Sequence, residues 1–264
     1  DIGQRRADDL QPLAETGLAL EIRPLVQALN GLLERIDVLL HNERRFTADA
    51  AHELRTPLAA IRMQAQVALG ADAQSPDRMQ ALSQVLAGCD RATHLVEQLL
   101  TLARLEQASA SAGHAPVDAV AHTRSVLAAL APAALARGQT LTLDGADTVA
   151  LAVAPTLLEV LVRNLVDNAL RYSPAGAQIQ VHWRQDGASS ACLEVHDSGP
   201  GLKEADAARL GERFFRVLGT GASGSGLGWS IVRRIAQVQG ATVHAQRSAA
   251  LGGLQVSVCW PLAA

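Results

Sequence analysis

Hydrophobic side chains near the N-terminus recur at alternating spacings of three and four residues. The first such stripe contains Leu25, Leu29, Leu32, Ile36 and Leu39. This spacing is that of a coiled-coil seam, in which one side of an α-helix repeatedly contacts a partner helix. The pattern therefore predicts a helix that associates with another helix.

The stripe then continues through a segment in which its phase changes. Its further members are Phe46, Ala50, Leu54, Leu58, Ile61, Ala65 and Ala68. Between residues 46 and 58 every step is four residues, so a heptad seam slips there and the supercoil changes locally.

A second stripe follows the loop "GADAQSPDR". It contains Leu82, Val85, Cys89, Ala92, Val96, Leu99 and Ala103. Ser75 and Pro76 predict its helix start, because serine caps the first turn and proline fits its first position. The sequence thus predicts an antiparallel helical hairpin. Since two helices bury little surface, we expect two hairpins to pair into a dimeric four-helix bundle.

The composition changes after the second stripe. Residues 108–116, "ASASAGHAP", are small and flexible, which indicates a linker. Beyond it the patterns predict helices at about 118–136 and 227–239, a helix over "TLLEVLVRNLVDNALRYS", and strands near 140–143, near 149–153 and at "QIQVHW", "CLEVHD", "TVHAQ" and "LQVSVCW". Both element types around one sheet predict an α/β sandwich, so the expected fold class is α plus α/β.

Composition excludes several functions. With 26 acidic and 23 basic residues the net charge is -3, so we expect no nucleic-acid partner. The only lysine, Lys203, lies in "GLKEA", so no Walker A loop is present.

The three cysteines, Cys89, Cys192 and Cys259, show no metal-site spacing and are predicted to be small core residues. No apolar run approaches the roughly 20 residues that span a bilayer.

The stretch "HELRTPL" combines reactive groups with a helix breaker. His52 lies about 200° around the helix from the stripe residue Ala50, so it points away from the predicted core. Thr56 shares its face, and Pro57 clashes with the carbonyl of Glu53, which predicts a bend there. An exposed imidazole beside a carboxylate can act as an activated nucleophile. The alternative is a solvated polar face with a chance proline.

Three segments of the second part could serve a nucleotide. In "NLVDNALRYS", Asn164 and Asn168 share one helical face, and amide oxygens suit Mg²⁺. Arg171 could approach a phosphate, and Tyr172, the only tyrosine, could contact a base.

The other two segments are rich in glycine. In "EVHDSGPG", Asp197 ends a strand and could accept a hydrogen bond from an exocyclic amine, while Gly199 and Gly201 admit a flat ring. In "GTGASGSGLGWSI", a run of glycines enters a helix N-terminus that could bind phosphates. These glycines are Gly219, Gly221, Gly224, Gly226 and Gly228. Taken singly, the three segments are also compatible with a polar helix face, a turn and a flexible loop.

These residues resemble the bacterial sensor histidine kinases of two-component systems. "FTADAAHELRTPLAAIR" resembles the phosphoacceptor motif (H box), "NLVDNALRYS" the N box, "DSGPG" the G1 box, "ERFFR" the F box and "GSGLGWSIV" the G2 box. "EIRPLVQALNGLLERI" is similar to the end of a HAMP signalling module. The resemblance implies a partial HAMP and signalling helix (1–40), a dimerisation and phosphotransfer hairpin (41–108), a linker (109–116) and an ATP-binding domain of the Bergerat type (117–264).

The resemblance also implies roles for matching residues. His52 would accept the γ-phosphoryl group of ATP with Glu53 as general base, and Glu53 and Thr56 would support dephosphorylation of a response regulator. The implied nucleotide-binding residues are Asn164, Asn168, Arg171, Tyr172, Asp197, Gly199, Gly201, Phe215, Arg216, Gly224, Gly226, Leu227 and Gly228. Asn168 and Asn164 would hold Mg²⁺. A lid would run from about 202 to 225, with Phe214, Phe215 and Arg216 anchoring it.

The implied partners are a second copy of the chain and a response regulator receiver domain. The chain begins "DIGQRR" without methionine, and we expect it to be the cytoplasmic portion of an inner-membrane protein, linked to the membrane only through segments it lacks. Trp229 departs from the smaller aliphatic residue usual in the family. Two alternatives remain: a related ATPase or serine kinase whose helices only clamp a dimer, and a scaffold without catalysis.

Overall fold

In the computed structural model of the protein, residues 10–14, 22–72, 74–107, 115–187, 189–202, 210 and 226–262 are described. The chain forms two compact units, Asp1–Ala92 and Thr93–Ala264, and each is described by itself. Most of the predicted linker lies outside the described residues.

The first helix, α1, runs from Arg23 to Gly70 with Pro57 inside it. Pro24 occupies its first turn, where the missing N–H costs nothing. At its end Ala71 is extended and donates its N–H to the Val67 carbonyl. The predicted helix is therefore confirmed, whereas the bend at Glu53 stays a prediction.

The second helix, α2, runs from Pro76 to Gln107. The Asp77 N–H donates to Ser75 Oγ at 3.2 Å, so the predicted start with a serine cap and a first-turn proline is confirmed.

The buried side of α2 differs from the predicted stripe. Its buried positions at heptad spacing are Ala81, Gly88, Leu95 and Leu102, whereas Leu82, Cys89 and Val96 of the predicted stripe are exposed. A Cβ on Gly88 would lie 2.6 Å from Ile61 Cγ1 of α1, so a residue without a side chain forms the closest approach. A pattern search that scores hydrophobicity overlooks such a residue, so the predicted stripe does not include it.

The second unit also contains seven strands and three further helices among its described residues. They are β1 (Val117–Asp118), α3 (Ala119–Ala136), β2 (Thr140–Gly145), β3 (Ala150–Leu151), α4 (Pro155–Tyr172), β4 (Gln178–Asp186), β5 (Ser190–Asp197), α5 (Gly228–Val238), β6 (Thr242–Arg247) and β7 (Leu254–Pro261). The elements expected after the linker are thereby confirmed.

Five of the strands form a mixed sheet in the order β2-β4-β5-β7-β6. Strands β2 and β4 are parallel, and the remaining neighbours are antiparallel. β1 and β3 form a separate antiparallel ribbon, beside which Asp118 caps α3 by accepting the Val120 N–H at 3.0 Å. The expected α/β sandwich is confirmed.

The core lies between the sheet and its helices, since side chains of one face alternate into it. In register across β4, β5 and β7, Val181 meets Val195 and Val256, and the next inward row contains Trp183. All of them are buried. Helix α4 adds eight buried residues on one side, which fixes its other positions at the edge of the core.

Two composition-based expectations require correction. Cys192 and Cys259 form a disulfide between β5 and β7, and Cys89 is exposed, so the prediction of three small core cysteines is wrong. Cys192 and Cys259 are opposite each other in the strand register, which is a long-range pairing that spacing cannot reveal. Among the described helices, α3 is long and apolar enough to cross a membrane by length and composition alone, although seven of its residues are buried in this domain.

Candidate functional site

The candidate site is a cavity of about 180 Å³ in the second unit. Its walls come from α4, the end of β5 and the loop after it, the first turn of α5 and the beginning of β7. The lining residues are Leu165, Asn168, Ala169, Tyr172, Val195, Asp197, Pro200, Gly201, Leu202, Leu210, Trp229, Leu254 and Val256. Most of these are apolar, with few polar groups, as is usual for sites that bind small molecules.

Helix α4 contributes the predicted asparagines. Asn168 and Tyr172, one turn apart, both line the cavity. Asn164 lies deeper: its Nδ2 donates to the Val160 carbonyl at 2.8 Å, and its Oδ1 accepts from Gln98 Nε2 at 3.5 Å. Two predicted residues thus meet at the cavity, and Asn164 lies behind them.

Asp197 ends β5 as a buried carboxylate. Its Oδ1 accepts the N–H groups of Gly199 at 2.8 Å and Leu254 at 3.1 Å. Burial raises the pKa of this carboxyl above its ordinary value, against the lowering effect of these backbone hydrogen bonds. The side chain is therefore fixed, and it lies at the edge of an apolar cavity.

The turn between β6 and β7 supports Asp197, and sequence reasoning missed it. A Cβ on Gly253 would collide with the Asp197 carboxylate and backbone, so only glycine fits there. The double glycine before the last strand was the available signal.

The loop after β5 forms one edge of the cavity and packs closely against Asp197. Gly201 has a φ of +71°, which favours glycine, and it lines the cavity. A Cβ on Gly199 would lie 2.9 Å from Asp197 Oδ1 and 3.1 Å from Ser173 Oγ. Ser173 Oγ is buried and has no hydrogen-bond partner among the described residues. A polar group of a ligand near Asp197 could satisfy it.

The start of α5 closes the cavity on another side. A Cβ on Gly228 would lie 3.2 Å from Asn164 Oδ1 and from Asn168 Nδ2, so the glycine lets this helix pack directly on the two amides. Leu227 is fully buried, and Gly226 has a φ of +71°. Three of the predicted residues, Gly228, Asn164 and Asn168, therefore lie close together here.

Several predicted residues lie outside the described part of the chain. These are Phe214, Phe215, Arg216, Gly219, Gly221 and Gly224, together with all of the predicted lid except Leu202 and Leu210.

Arg171 does not line the cavity. It neighbours Asp167, whose pKa is raised by burial despite the opposing charges of Arg171, His94, Arg163 and Arg137. Asp167 was not singled out from the sequence, because an aspartate between two asparagines on a helix gives no sign of burial.

The first unit contains the second set of predicted residues. His52 is exposed and Glu53 beside it is half-buried. Thr56 Oγ1 donates to the His52 carbonyl at 3.5 Å, so the hydroxyl lies one turn along the same face. The imidazole is therefore accessible to a reacting partner.

This chemistry fits an adenine nucleotide. An apolar slot can hold a flat ring, the buried carboxylate beside it can accept a hydrogen bond from an amine, and the hydroxyl of Ser173 lies nearby without a partner among the described residues. Among the described residues there is no group of three or more histidine, cysteine or acidic side chains that could hold a metal ion. A metal ion here would need the asparagine amides together with oxygens of the ligand.

Three segments of the chain match known protein families. Residues 153–264 match the histidine kinase-, DNA gyrase B- and HSP90-like ATPase family. Residues 42–108 match the His Kinase A (phospho-acceptor) domain, and residues 1–37 match the PhoQ-like HAMP domain of sensor proteins.

Full-length relatives support the same assignment. Sensor protein QseC of Escherichia coli K12 is 42% identical over 97% of this chain, which spans 56% of QseC. Sensor protein kinase PmrB of Pseudomonas aeruginosa is 39% identical over 99% of this chain, which spans 54% of PmrB. Among solved structures, the Acinetobacter baumannii histidine kinase AdeS matches with a TM-score of 0.65 and 23% identity, covering 81% of this chain and 98% of that one; this likeness shows the fold alone.

Proposed function

Because this chain belongs to the bacterial two-component sensor histidine kinases, we propose that it is an ATP-dependent protein histidine kinase. In this proposal it phosphorylates itself on His52 and transfers the phosphoryl group to an aspartate of a response regulator receiver domain. The observation that carries the proposal is the coexistence, in one chain, of an exposed histidine beside a carboxylate and a cavity built around the buried carboxylate of Asp197.

The nucleotide would be ATP, with its base in the cavity. Asp197 would accept a hydrogen bond from the exocyclic amine, and Tyr172 would contact the ring. Asn168 and Asn164 would hold Mg²⁺, and the nearby Arg171 would approach a phosphate. Mg²⁺ supplies charge neutralisation for the phosphate oxygens.

The reaction requires little covalent chemistry from the protein. A ring nitrogen of His52 attacks the γ-phosphorus, the bond from that phosphorus to the bridging oxygen of ADP breaks, and an N–P bond forms. Glu53, which is next to the histidine and half-buried, takes the ring proton as general base. Positioning and charge neutralisation then supply most of the rate enhancement.

The same face of α1 would also serve the dephosphorylation of the response regulator. Thr56 lies one turn from His52, and its hydroxyl could orient a water molecule toward a phosphorylated receiver domain. We therefore include phosphatase activity toward the response regulator, with Glu53 and Thr56 as its residues.

The active form would be a homodimer through the hairpin. Leu82, Cys89 and Val96 are exposed although their neighbours at Ala81, Gly88 and Leu95 are buried. A second hairpin packed on this side would cover them and produce the four-helix bundle.

The domains would be a partial HAMP and signalling helix (1–40), the phosphotransfer hairpin (41–108), a linker (109–116) and the catalytic domain (117–264). The HAMP match and the sensor relatives support an inner-membrane protein of which this chain is the cytoplasmic portion.

The test is labelling with γ-³²P-ATP and Mg²⁺. We expect label that disappears in acid, survives base and is lost by more than a hundredfold in His52→Gln. The control is His41→Gln, which removes another exposed histidine of α1 and should label normally. Label that resists acid or persists in His52→Gln would point to hydroxyl phosphorylation. ATP hydrolysis without any label would favour the ATPase with a helical clamp.

A further inference from the structure

Trp229 differs from the other two tryptophans of the chain. Trp183 and Trp260 are only 1% and 2% exposed, and their rings stack at a centroid distance of 5.7 Å. They belong to the core of the second unit. Trp229, in the first turn of α5, is half-buried and lines the candidate cavity.

The surroundings of Trp229 suit a planar ring. Facing the same cavity are the apolar side chains of Leu165, Ala169, Val195 and Val256 and the aromatic ring of Tyr172. The buried carboxylate of Asp197 is fixed by two backbone N–H groups. An apolar slot with aromatic walls and one oriented acceptor matches a heteroaromatic ring that carries an amine.

We propose that Trp229 is a base-contacting residue of the nucleotide site, with its indole ring stacked on the purine ring. This inference rests on the proposed function and deepens it, because it assigns a second aromatic contact with the base to a residue of α5 that lines the cavity. The indole offers a large, polarisable face, and it reaches the cavity from α5, whereas Tyr172 reaches it from α4.

The contributions of Trp229 and Asp197 differ in kind. Stacking on an aromatic side chain tolerates any base, because every base has a π-face. A buried hydrogen-bond acceptor selects the base that has a matching donor. Trp229 therefore supplies affinity shared by adenosine and inosine, and Asp197 supplies the preference for adenosine.

Fluorescence of the full chain provides the first test. Since the other two tryptophans are buried in the core, saturating Mg²⁺-ADP should change the emission of Trp229 and protect it from acrylamide quenching. Both effects should be absent in Trp229→Phe, which lacks the fluorophore but keeps an aromatic ring. Unchanged emission and quenching of the wild type upon saturation, with binding shown by calorimetry, would overturn the inference.

Calorimetry separates a base contact from a structural role. In Trp229→Leu the affinities for ADP, adenosine and inosine should fall by about tenfold, the size of one base–aromatic stack, while the affinity for Mg²⁺-tripolyphosphate stays unchanged. Trp229→Phe should lose less than about threefold. Equal losses for tripolyphosphate and adenosine, or no loss for adenosine, would overturn the assignment.

These outcomes also distinguish a failure of the Trp229 assignment from a failure of the proposed function. If the wild type labels His52 and Trp229→Leu binds adenosine normally, only the assignment of Trp229 fails. If the wild type binds no adenine nucleotide, the proposed function fails together with it.

Discussion

The helical unit and the sheet-containing unit bury their apolar side chains to very different extents. In α1 the residues Leu25, Leu32 and Leu39, each seven apart, remain 69%, 52% and 67% exposed. In the sheet domain Leu158, Leu161 and Ile231 are completely buried. Both regions carry strong hydrophobic periodicity, so periodicity predicts which side is apolar but not whether one chain can cover it.

This difference follows from architecture. A sheet with helices on one face encloses a core within one chain, whereas two helices touch along a single line and leave their flanks open. The sheet domain therefore buries its core without a partner, whereas the helical unit leaves apolar side chains exposed that a partner could cover.

The largest expected effect contrasts leucines from the two regions. Leu158→Ala removes a fully buried side chain of α4 and should destabilise the sheet domain by about 3–5 kcal/mol. Leu69→Ala removes a side chain near the end of α1 that is 86% exposed and should change the free energy of unfolding by less than about 0.5 kcal/mol. Urea unfolding measures both when it is followed by tryptophan fluorescence, which reports on the sheet domain, and by far-ultraviolet circular dichroism, which also reports on the helical unit. Similar losses in the two variants would remove the distinction between the regions.

The elements of the sheet domain could be predicted well from the sequence. Its alternating strands and the helix at "TLLEVLVRNLVDNALRYS" bury one side strongly, so period and composition agree. The strand order β2-β4-β5-β7-β6 was not predictable in this way, because pairing depends on contacts far apart in sequence. The Cys192–Cys259 disulfide is one such contact.

The helical hairpin was predicted in outline, but the small residues at its closest approach within one chain were not. Gly88 lies against Ile61 of α1 and Ala81 is buried, but both carry little hydrophobic signal. The larger residues Leu82 and Val96 dominated the pattern although they are exposed in one chain. The stripe read from the sequence therefore contains part of the surface that we assign to the partner.

The second expected effect tests that assignment. Leu82→Glu places a charge on the exposed apolar side of α2, where a dimer would have to bury it, and should weaken dimerisation by roughly thirtyfold or more. Ser83→Glu adds the same charge at an exposed polar position next to it and should change dimerisation little. Analytical ultracentrifugation over a range of concentrations measures both dissociation constants.

The stability of the sheet domain should be the same in both variants, because Leu82 and Ser83 belong to the other unit. A Leu82→Glu protein that remains as dimeric as Ser83→Glu would place the dimer surface elsewhere.

The sequence predicted those residues of the candidate site that belong to a local motif on one strand or one helix. Asp197, Asn168 and Tyr172 were found in this way and do line one cavity. Gly253 and Leu254 were missed, because they are more than 50 residues from Asp197 in sequence. Their N–H groups contact Asp197 only because β7 pairs with β5. Supporting residues of this kind follow from strand pairing and have no local motif.

The smallest expected effect concerns the carboxylate of Asp197, which lines the cavity of the sheet domain. Burial raises the pKa of Asp197 above its ordinary value, and the ionised carboxylate accepts a stronger hydrogen bond from an amine than the neutral acid does. Adenosine affinity should therefore be constant at neutral pH and fall as the pH drops toward this raised pKa. In Asp197→Asn the affinity for adenosine should be about tenfold weaker at neutral pH, since a hydrogen bond to a charged group is lost, and this affinity should change little with pH.

Calorimetry with adenosine, which has no phosphate to titrate, measures the affinity of the two proteins as a function of pH. Parallel profiles for the two proteins would mean that another group controls the pH dependence, and that the burial of Asp197 serves the fold of the domain and not its ligand.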